Sequence, residues 1–350
     1  MIGGRKAALV TTEGAKSRGL VDLVSKVAST LPVCVSCSNP TVASIQENAA
    51  ELLDSGQTPE VLIAVGGGST IDTAKGIAAI ASPGCSPEWF SDHLREGTPF
   101  PNSFSPPAII AIPTTAGTGS EVTMWGTVWD ERSGAKYSIS HRRLYAERAL
   151  LIPELTLTAP HELTLFTALD AVSHCMESIW NKRASAVSDA FASAGIERLL
   201  SSLGSALSDP SDIGMRRRLQ EGALLGGFAI SCTATALAHS ISYPLTSQLG
   251  MPHGLACSFT LPELIRFNGE AAPDRIAVIA RAMQAEGTEG ASANLSGLFS
   301  EWKVSDHVAK YLDDAKAESM KDRLLTPGRA DNNVRPATRD DALLIVLHSL

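Results

Sequence analysis

The sequence predicts an α/β domain with a parallel sheet over residues 1–158, followed by an all-α domain over 159–350. Three observations carry this reading. Short apolar runs alternate with helical patterns as far as Pro113, as expected for strands buried on both faces of a parallel sheet. Two of those runs feed turns rich in glycine. Beyond about Leu150, strand signals become scarce and helical periodicity dominates to the last residue.

Residues 7–10 (AALV) read as the first strand, which ends in Thr11-Thr12-Glu13-Gly14 and feeds a helical pattern to about Ser29. Residues 33–36 form the second strand. Asn39-Pro40-Thr41 then turns the chain into a helix that ends near Ser55. Residues 61–65 (VLIAV) form the third strand and enter Gly66-Gly67-Gly68-Ser69, with a helix over 70–81 behind them. Pro, Ser and Gly mark residues 82–107 as loop. Residues 108–112 (AIIAI) are a fourth buried strand, followed by PTTAGTGS.

Composition excludes several classes. The 350 residues suffice for about two domains of ~100–200 residues. With 44% hydrophobic and 19% charged residues, the chain can build sizeable cores. Lys and Arg total 29 against 37 Asp and Glu, a formal charge of -8. That balance argues against nucleic acid as a partner, because such binding neutralises phosphates. No stretch reaches the ~18 apolar residues of a membrane span, and the apolar core of MIGGRKAALVTTEG is short for a signal peptide. Six cysteines are too sparse for a disulfide scaffold, so a reducing, cytoplasmic setting is expected. Cys34 and Cys37 form the CxxC pair, read as two small side chains at a strand end, since a zinc ribbon needs a second pair.

A strand, GGGST and a helix in succession present a helix N-terminus to an anion. Glycines let the backbone approach, and unpaired N–H groups point at phosphate. The pattern is not GxGxxG. The hydroxyl-rich turn after the fourth strand adds a second such surface, and together the two point to an extended nucleotide.

In the helical half, Asp170 and His174 in TALDAVSHCMES stand at i and i+4 on one helix face. His239 in ALAHSISYPLT and His253 in GMPHGLACS lie in apolar or glycine-flanked settings. One carboxylate and three neutral imidazoles leave a divalent ion with net charge of about +1 and room for a substrate oxygen.

These segments carry a resemblance. GGGSTIDTAK, PTTAGTGSEVT, TALDAVSHCMES, the His239 and His253 segments and NNVRPATRDD resemble the iron-containing (group III) alcohol dehydrogenases. The resemblance implies the dehydroquinate synthase-like fold, in which a nucleotide-binding α/β domain and a helical domain enclose an active-site cleft. It implies metal ligands at Asp170, His174, His239 and His253, with Fe²⁺ favoured and Zn²⁺ as the alternative. It implies a pyrophosphate turn at Gly67, Gly68 and Ser69, and further cofactor contacts at Asn39, Thr114, Thr115, Thr118 and Lys136. The activity implied is NAD(P)H-linked reduction of a small aldehyde or ketone by hydride transfer, in a homodimer.

Within the family, TVWDERSGAKYSIS, SIWNK and AHSISYPLT are similar to members that reduce phosphonoacetaldehyde to 2-hydroxyethylphosphonate in phosphonate natural-product pathways. Phosphonopyruvate reduction, a general short-chain or lactaldehyde-type dehydrogenase, a related zinc enzyme of the dehydroquinate-synthase or glycerol-phosphate type and an inactive metal- or nucleotide-binding relative are the alternatives. Three departures matter. Tyr243 stands where many members carry a second histidine, four residues after His239, and is the candidate catalytic side chain. Thr12 stands where NAD-preferring members often carry Asp, which admits and favours NADPH, with NADH accepted as well. The run before the first strand is shorter than is usual. A phosphonate needs cations, and the candidates are Arg142, Arg143, Lys182, Arg183, Arg266 and Arg335.

Overall fold

The computed structural model describes residues 2–26, 32–54, 56 and 58–350, so the helix ends expected at Ser29 and Ser55 lie outside the described residues. The chain divides into two compact units, Met1–Thr115 with Ser120–Leu155, and Ala116–Gly119 with Thr156–Leu350.

The first unit runs β1 (Ala7–Thr11), α1 (Glu13–Ser17), α2 (Leu20–Ser25), β2 (Val33–Val35), α3 (Val42–Asp54), β3 (Val61–Gly66), α4 (Gly68–Ile80), α5 (Pro87–Glu96), β4 (Ala108–Pro113), β5 (Trp125–Asp130), β6 (Ala135–Ser140) and β7 (Arg148–Ala149). Five strands pair in parallel in the order β2-β1-β3-β4-β7. Every residue of β1 and β3 is buried, which is why their sequences are unbroken apolar runs rather than alternating ones. Parallel pairing brings the ends of β1, β3 and β4 to one edge. The winding reverses between β1 and β3, and ligands of open α/β sheets bind at such a reversal.

Three local readings are corrected. The stretch 82–107 is not all loop, because α5 lies within it. Ser86 caps that helix by accepting from Trp89 N at 3.1 Å, and Pro87 opens it. Proline at a first helical position loses no intrahelical bond, so the residue that looked like a breaker is a start signal. The helix expected after β1 is two short ones, parted at Gly19. An antiparallel hairpin of β5 and β6 was not expected; it pairs Trp125 with Ser140 through Asp130 with Ala135.

Lys75 of α4 is fully buried. Its ammonium donates to Ser120 O (2.7 Å), Ser120 Oγ (3.1 Å), Thr123 Oγ1 (3.3 Å) and Trp125 O (2.6 Å). One side chain thus ties α4 to the start of β5.

The second unit is helical: α6 (His161–Ile179), α7 (Ala186–Ser208), α8 (Ile213–Thr233), α9 (Leu237–Leu249), α10 (His253–Ala256), α11 (Leu261–Ala271), α12 (Pro273–Ala282), α13 (Gly287–Glu301), α14 (Val304–Val308), α15 (Asp314–Met320) and α16 (Arg339–Leu347). Its apolar core includes Leu165, Leu169, Val172, Ile196, Leu199, Ile241 and Leu264. Gly119 enters this unit at φ +63, where an added Cβ would lie 2.4 Å from Gly227 Cα, so no larger residue fits. Among the described residues no single helix is long and apolar enough to cross a membrane. α8 and α9 pass such a test only as a pair bent by 106°.

Candidate active site

α6 is buried along almost its whole length. It places Asp170, His174 and Glu177 at i, i+4 and i+7, on one face. α9 brings His239 against that face. His239 Nε2 is 3.4 Å and His174 Nε2 is 3.3 Å from the same atom, Asp170 Oδ1. The two imidazoles stack with centroids 4.9 Å apart. His253 opens α10, and its ring centroid is 5.3 Å from that of His239. Gly254 allows this approach, since a Cβ there would sit 1.9 Å from Phe166 O and 3.2 Å from Asp170 Cβ. The end of α10 is held to α6 by Ser173 Oγ, which donates to Cys257 O at 2.8 Å.

Ligand atoms of Asp170, His239, His253 and Cys257 all lie within 4.8 Å of one another. His174 joins the group through Asp170 but is outside that mutual set. Cys257 is inside it and was not anticipated. Its thiol donates to Asp170 Oδ1 at 3.3 Å. The available signal was its position four residues after His253.

Glu177 was missed as well. Its Oε1 accepts from His239 N at 3.1 Å, and its Oε2 faces His239 Nδ1 at 2.6 Å. The first contact satisfies an otherwise orphaned N–H in the first turn of α9. The second makes Nδ1 the proton-bearing nitrogen, because an ionised carboxylate only accepts. Nε2 is thereby aimed at Asp170, and it is buried with no hydrogen-bond partner. A carboxylate, converging imidazoles and a buried nitrogen lacking a donor or acceptor fit a divalent cation.

The electrostatics follow from this crowding. Burial by itself lowers the His239 imidazole, but Glu177 and Asp170 outweigh it and push it up to about 10, so a cation taken at Nε2 would displace a proton there. Burial lowers His174, with Asp170 only partly opposing. Burial also opposes ionisation of Asp170, yet the surrounding imidazoles hold it far below the usual carboxylate range. Burial, then Asp170, raises the Cys257 thiol well above its ordinary value.

Tyr243 follows His239 by one turn of α9. Its ring stacks on His253 at 6.3 Å and 22°. Its Oη accepts from Arg329 Nε at 3.2 Å.

In the first unit, Thr12 caps α1, its hydroxyl accepting from Ala15 N at 3.1 Å. Glu13 beside it is exposed and lies 3.6 Å from Lys16. Gly67 caps α4, with Gly68 and Ser69 as the first helical residues. Thr114 N donates to Gly66 O at 2.9 Å, and a Cβ on Gly67 would meet Thr115 Oγ1 at 3.3 Å. The two glycine-rich turns are therefore neighbours. Asn39 is exposed in the β2–α3 loop with φ +55. Lys136 on β6 lies 5.8 Å over the Trp129 ring. Thr118 belongs to the segment that packs with the helical unit.

The cations chosen for a phosphonate are mostly engaged elsewhere. Arg266 pairs with Glu263 and with Glu289 at 3.1 Å. Arg335 pairs with Glu270 at 2.7 Å and covers the Phe267 ring. Lys182 Nζ donates to Asp331 O at 2.7 Å, and Arg143 donates to Phe104 O. Arg142 and Arg183 are exposed.

Comparison with known proteins finds a family match in each part of the sequence. The model of iron-containing alcohol dehydrogenases matches residues 1–153, and that of the C-terminal part of the Fe-containing alcohol dehydrogenase family matches residues 164–350. The phosphonoacetaldehyde reductase of Streptomyces viridochromogenes is 35% identical over 60% of this chain, and the match spans only 53% of that relative. The 4-hydroxybutyrate dehydrogenase of Cupriavidus necator is 33% identical over 81% of this chain and 75% of its own. A crystal structure of a 1,3-propanediol oxidoreductase superposes with a TM-score of 0.88 at 26% identity, covering 100% of this chain and 93% of that one. With both halves matched and the fold shared end to end, the chain belongs to the iron-containing alcohol dehydrogenase family.

Proposed function

We propose that this protein is a metal-dependent, NAD(P)H-linked reductase of a small aldehyde or ketone, with phosphonoacetaldehyde, giving 2-hydroxyethylphosphonate, as the favoured substrate. The observation that carries the reading is the convergence of Asp170, His239 and His253 on one point, with Glu177 behind His239. Asp170, His174, His239 and His253 are the proposed ligands.

When bound, the divalent ion supplies Lewis acidity and the dinucleotide supplies hydride. The protein's part is positioning and charge. Asp170 provides the negative charge that retains a cation in a buried site, and Glu177 fixes the tautomer of His239. The N–H groups at the start of α4, with Gly67, Gly68 and Ser69, take a pyrophosphate, and Asn39, Thr114, Thr115, Thr118 and Lys136 take the rest of the dinucleotide. Thr12 places no carboxylate at the end of β1. A carboxylate there would repel a 2′-phosphate by ~4 kcal/mol at 4 Å for an effective dielectric of ~20, so NADPH is favoured. Tyr243 borders the site at His253.

The test is an aldehyde panel on metal-reconstituted protein with NADPH and NADH, together with His253→Ala. Turnover that needs metal, falls with metal content in the variant and favours NADPH is the expected result. Turnover unaltered in metal-free protein would refute the reading. A second reading, a dehydrogenase of uncharged short alcohols, is favoured by the engagement of Arg266 and Arg335 with carboxylates; propanal equalling phosphonoacetaldehyde would establish it.

A further inference from the structure

The helix α9 contains Pro244. Proline has no N–H, so the carbonyl four residues earlier, Ser240 O, loses its helical partner. Thr326 Oγ1 supplies one at 3.3 Å. Ser240 Oγ also donates to Leu324 O at 3.1 Å and accepts from Thr326 N at 2.6 Å. Further along, Asn332 Nδ2 donates to Thr235 O at 2.8 Å. The segment 324–332 is thus pinned at one end to Ser240 of α9 and at the other to Thr235, in the turn that leads into α9. Between the pins, Arg329 is delivered to Tyr243, which stacks on His253.

Arg329 is unlike the other cations considered. It is half-buried. Its guanidinium donates to the Tyr243 hydroxyl, and among the described residues no carboxylate lies within ion-pair distance of it. Asp331, two residues on, instead accepts from Gly328 N at 2.9 Å. A partly desolvated guanidinium without a counter-ion, presenting a planar fork, suits a carboxylate, phosphonate or sulfonate group.

We propose that Arg329, oriented by Tyr243, is the cation that receives the anionic end of the substrate, and so selects charged over neutral aldehydes. The proposal rests on the aldehyde-reductase reading above. It also gives Tyr243 a task as a positioning residue that needs no proton transfer.

The experiment compares wild type, Arg329→Gln and Arg329→Lys, all metal-loaded. The readout is kcat and KM on phosphonoacetaldehyde, succinic semialdehyde and propanal. In Arg329→Gln the kcat/KM ratio of either anionic aldehyde to propanal should fall about 30-fold, ~2 kcal/mol at 1.4 kcal/mol per tenfold, through KM rather than kcat. Arg329→Lys should recover part of the loss. Succinic semialdehyde falling less than phosphonoacetaldehyde would identify phosphonate as the preferred anion. Calorimetry of methylphosphonate binding reads the same subsite without turnover; wild type should bind at least ~30-fold more tightly than Arg329→Gln. An unchanged substrate ratio, or methylphosphonate binding that ignores Arg329, overturns the proposal while metal-dependent turnover leaves the reductase reading standing. Absence of all turnover with Arg329-dependent methylphosphonate binding does the reverse.

Discussion

Glu177 touches His239 at both its backbone and its ring, and this double contact sets the site's precision. Replacing Glu177 with Gln keeps the shape but removes the charge that fixes the imidazole. Metal affinity in the variant should fall ~10–100-fold, measured by chelator competition, with far-ultraviolet circular dichroism unchanged. Gly254 is the steric counterpart. Alanine there would drive a methyl into Phe166 O and displace His253 from Asp170. The Gly254→Ala protein should lose metal content and melt at a lower temperature. Equal melting and full metal loading would show that α10 moves at little cost.

At the scale of elements, the buried ammonium of Lys75 bridges α4 and the β5 strand. Burial lowers it to about 8, although Asp72 and Glu121 stand close by. Lys75→Met would remove the donor from Ser120 O, Ser120 Oγ, Thr123 Oγ1 and Trp125 O. A buried acceptor left without a donor costs ~1–3 kcal/mol. The variant should therefore unfold ~2–4 kcal/mol more easily in urea, by the same reasoning over several acceptors. The sequence shows this helix and its glycine turn but not the lysine's role, because its partners Ser120, Thr123 and Trp125 lie 45 to 50 residues away and no spacing within α4 points to them. The hairpin was overlooked for another reason. β5 alternates half-buried and buried residues, a weak signal over six residues when no second strand is known to oppose it.

For the molecule as a whole, the Arg95–Asp130 pair contributes to the response to acid. Arg95 donates to both oxygens of Asp130, at 2.9 and 3.0 Å, and pushes that carboxyl down to about 2, with burial opposing. A carboxyl depressed in the folded state adds stability that is fully present above its unfolded value of ~4. That contribution is lost as pH falls through about 2. Unfolding curves from pH 5 to 2 should therefore be steeper for wild type than for Arg95→Gln; parallel curves would deny the pair this part. Metal linkage is expected to be local. The candidate ligands all belong to the helical unit, whose apolar core is separate from those of the α/β unit. Added Zn²⁺ should slow hydrogen exchange in α6, α9 and α10 and leave β1, β3 and β4 unaffected.

Four main strands, the paired glycine-rich turns and the Asp170–His174 spacing are legible in the sequence, because each is written locally, as an unbroken apolar run, a turn residue or a helical spacing of four. His239 and His253 join that pair as candidate ligands through the family resemblance, since no local spacing ties them to Asp170. Tertiary structure alone decided that Glu177 stands behind His239, that Cys257 enters the cluster, and that Arg329 meets Tyr243 86 residues away. Such contacts depend on how helices cross and which carbonyl a proline leaves bare, and no interval along one chain encodes the distance between two others.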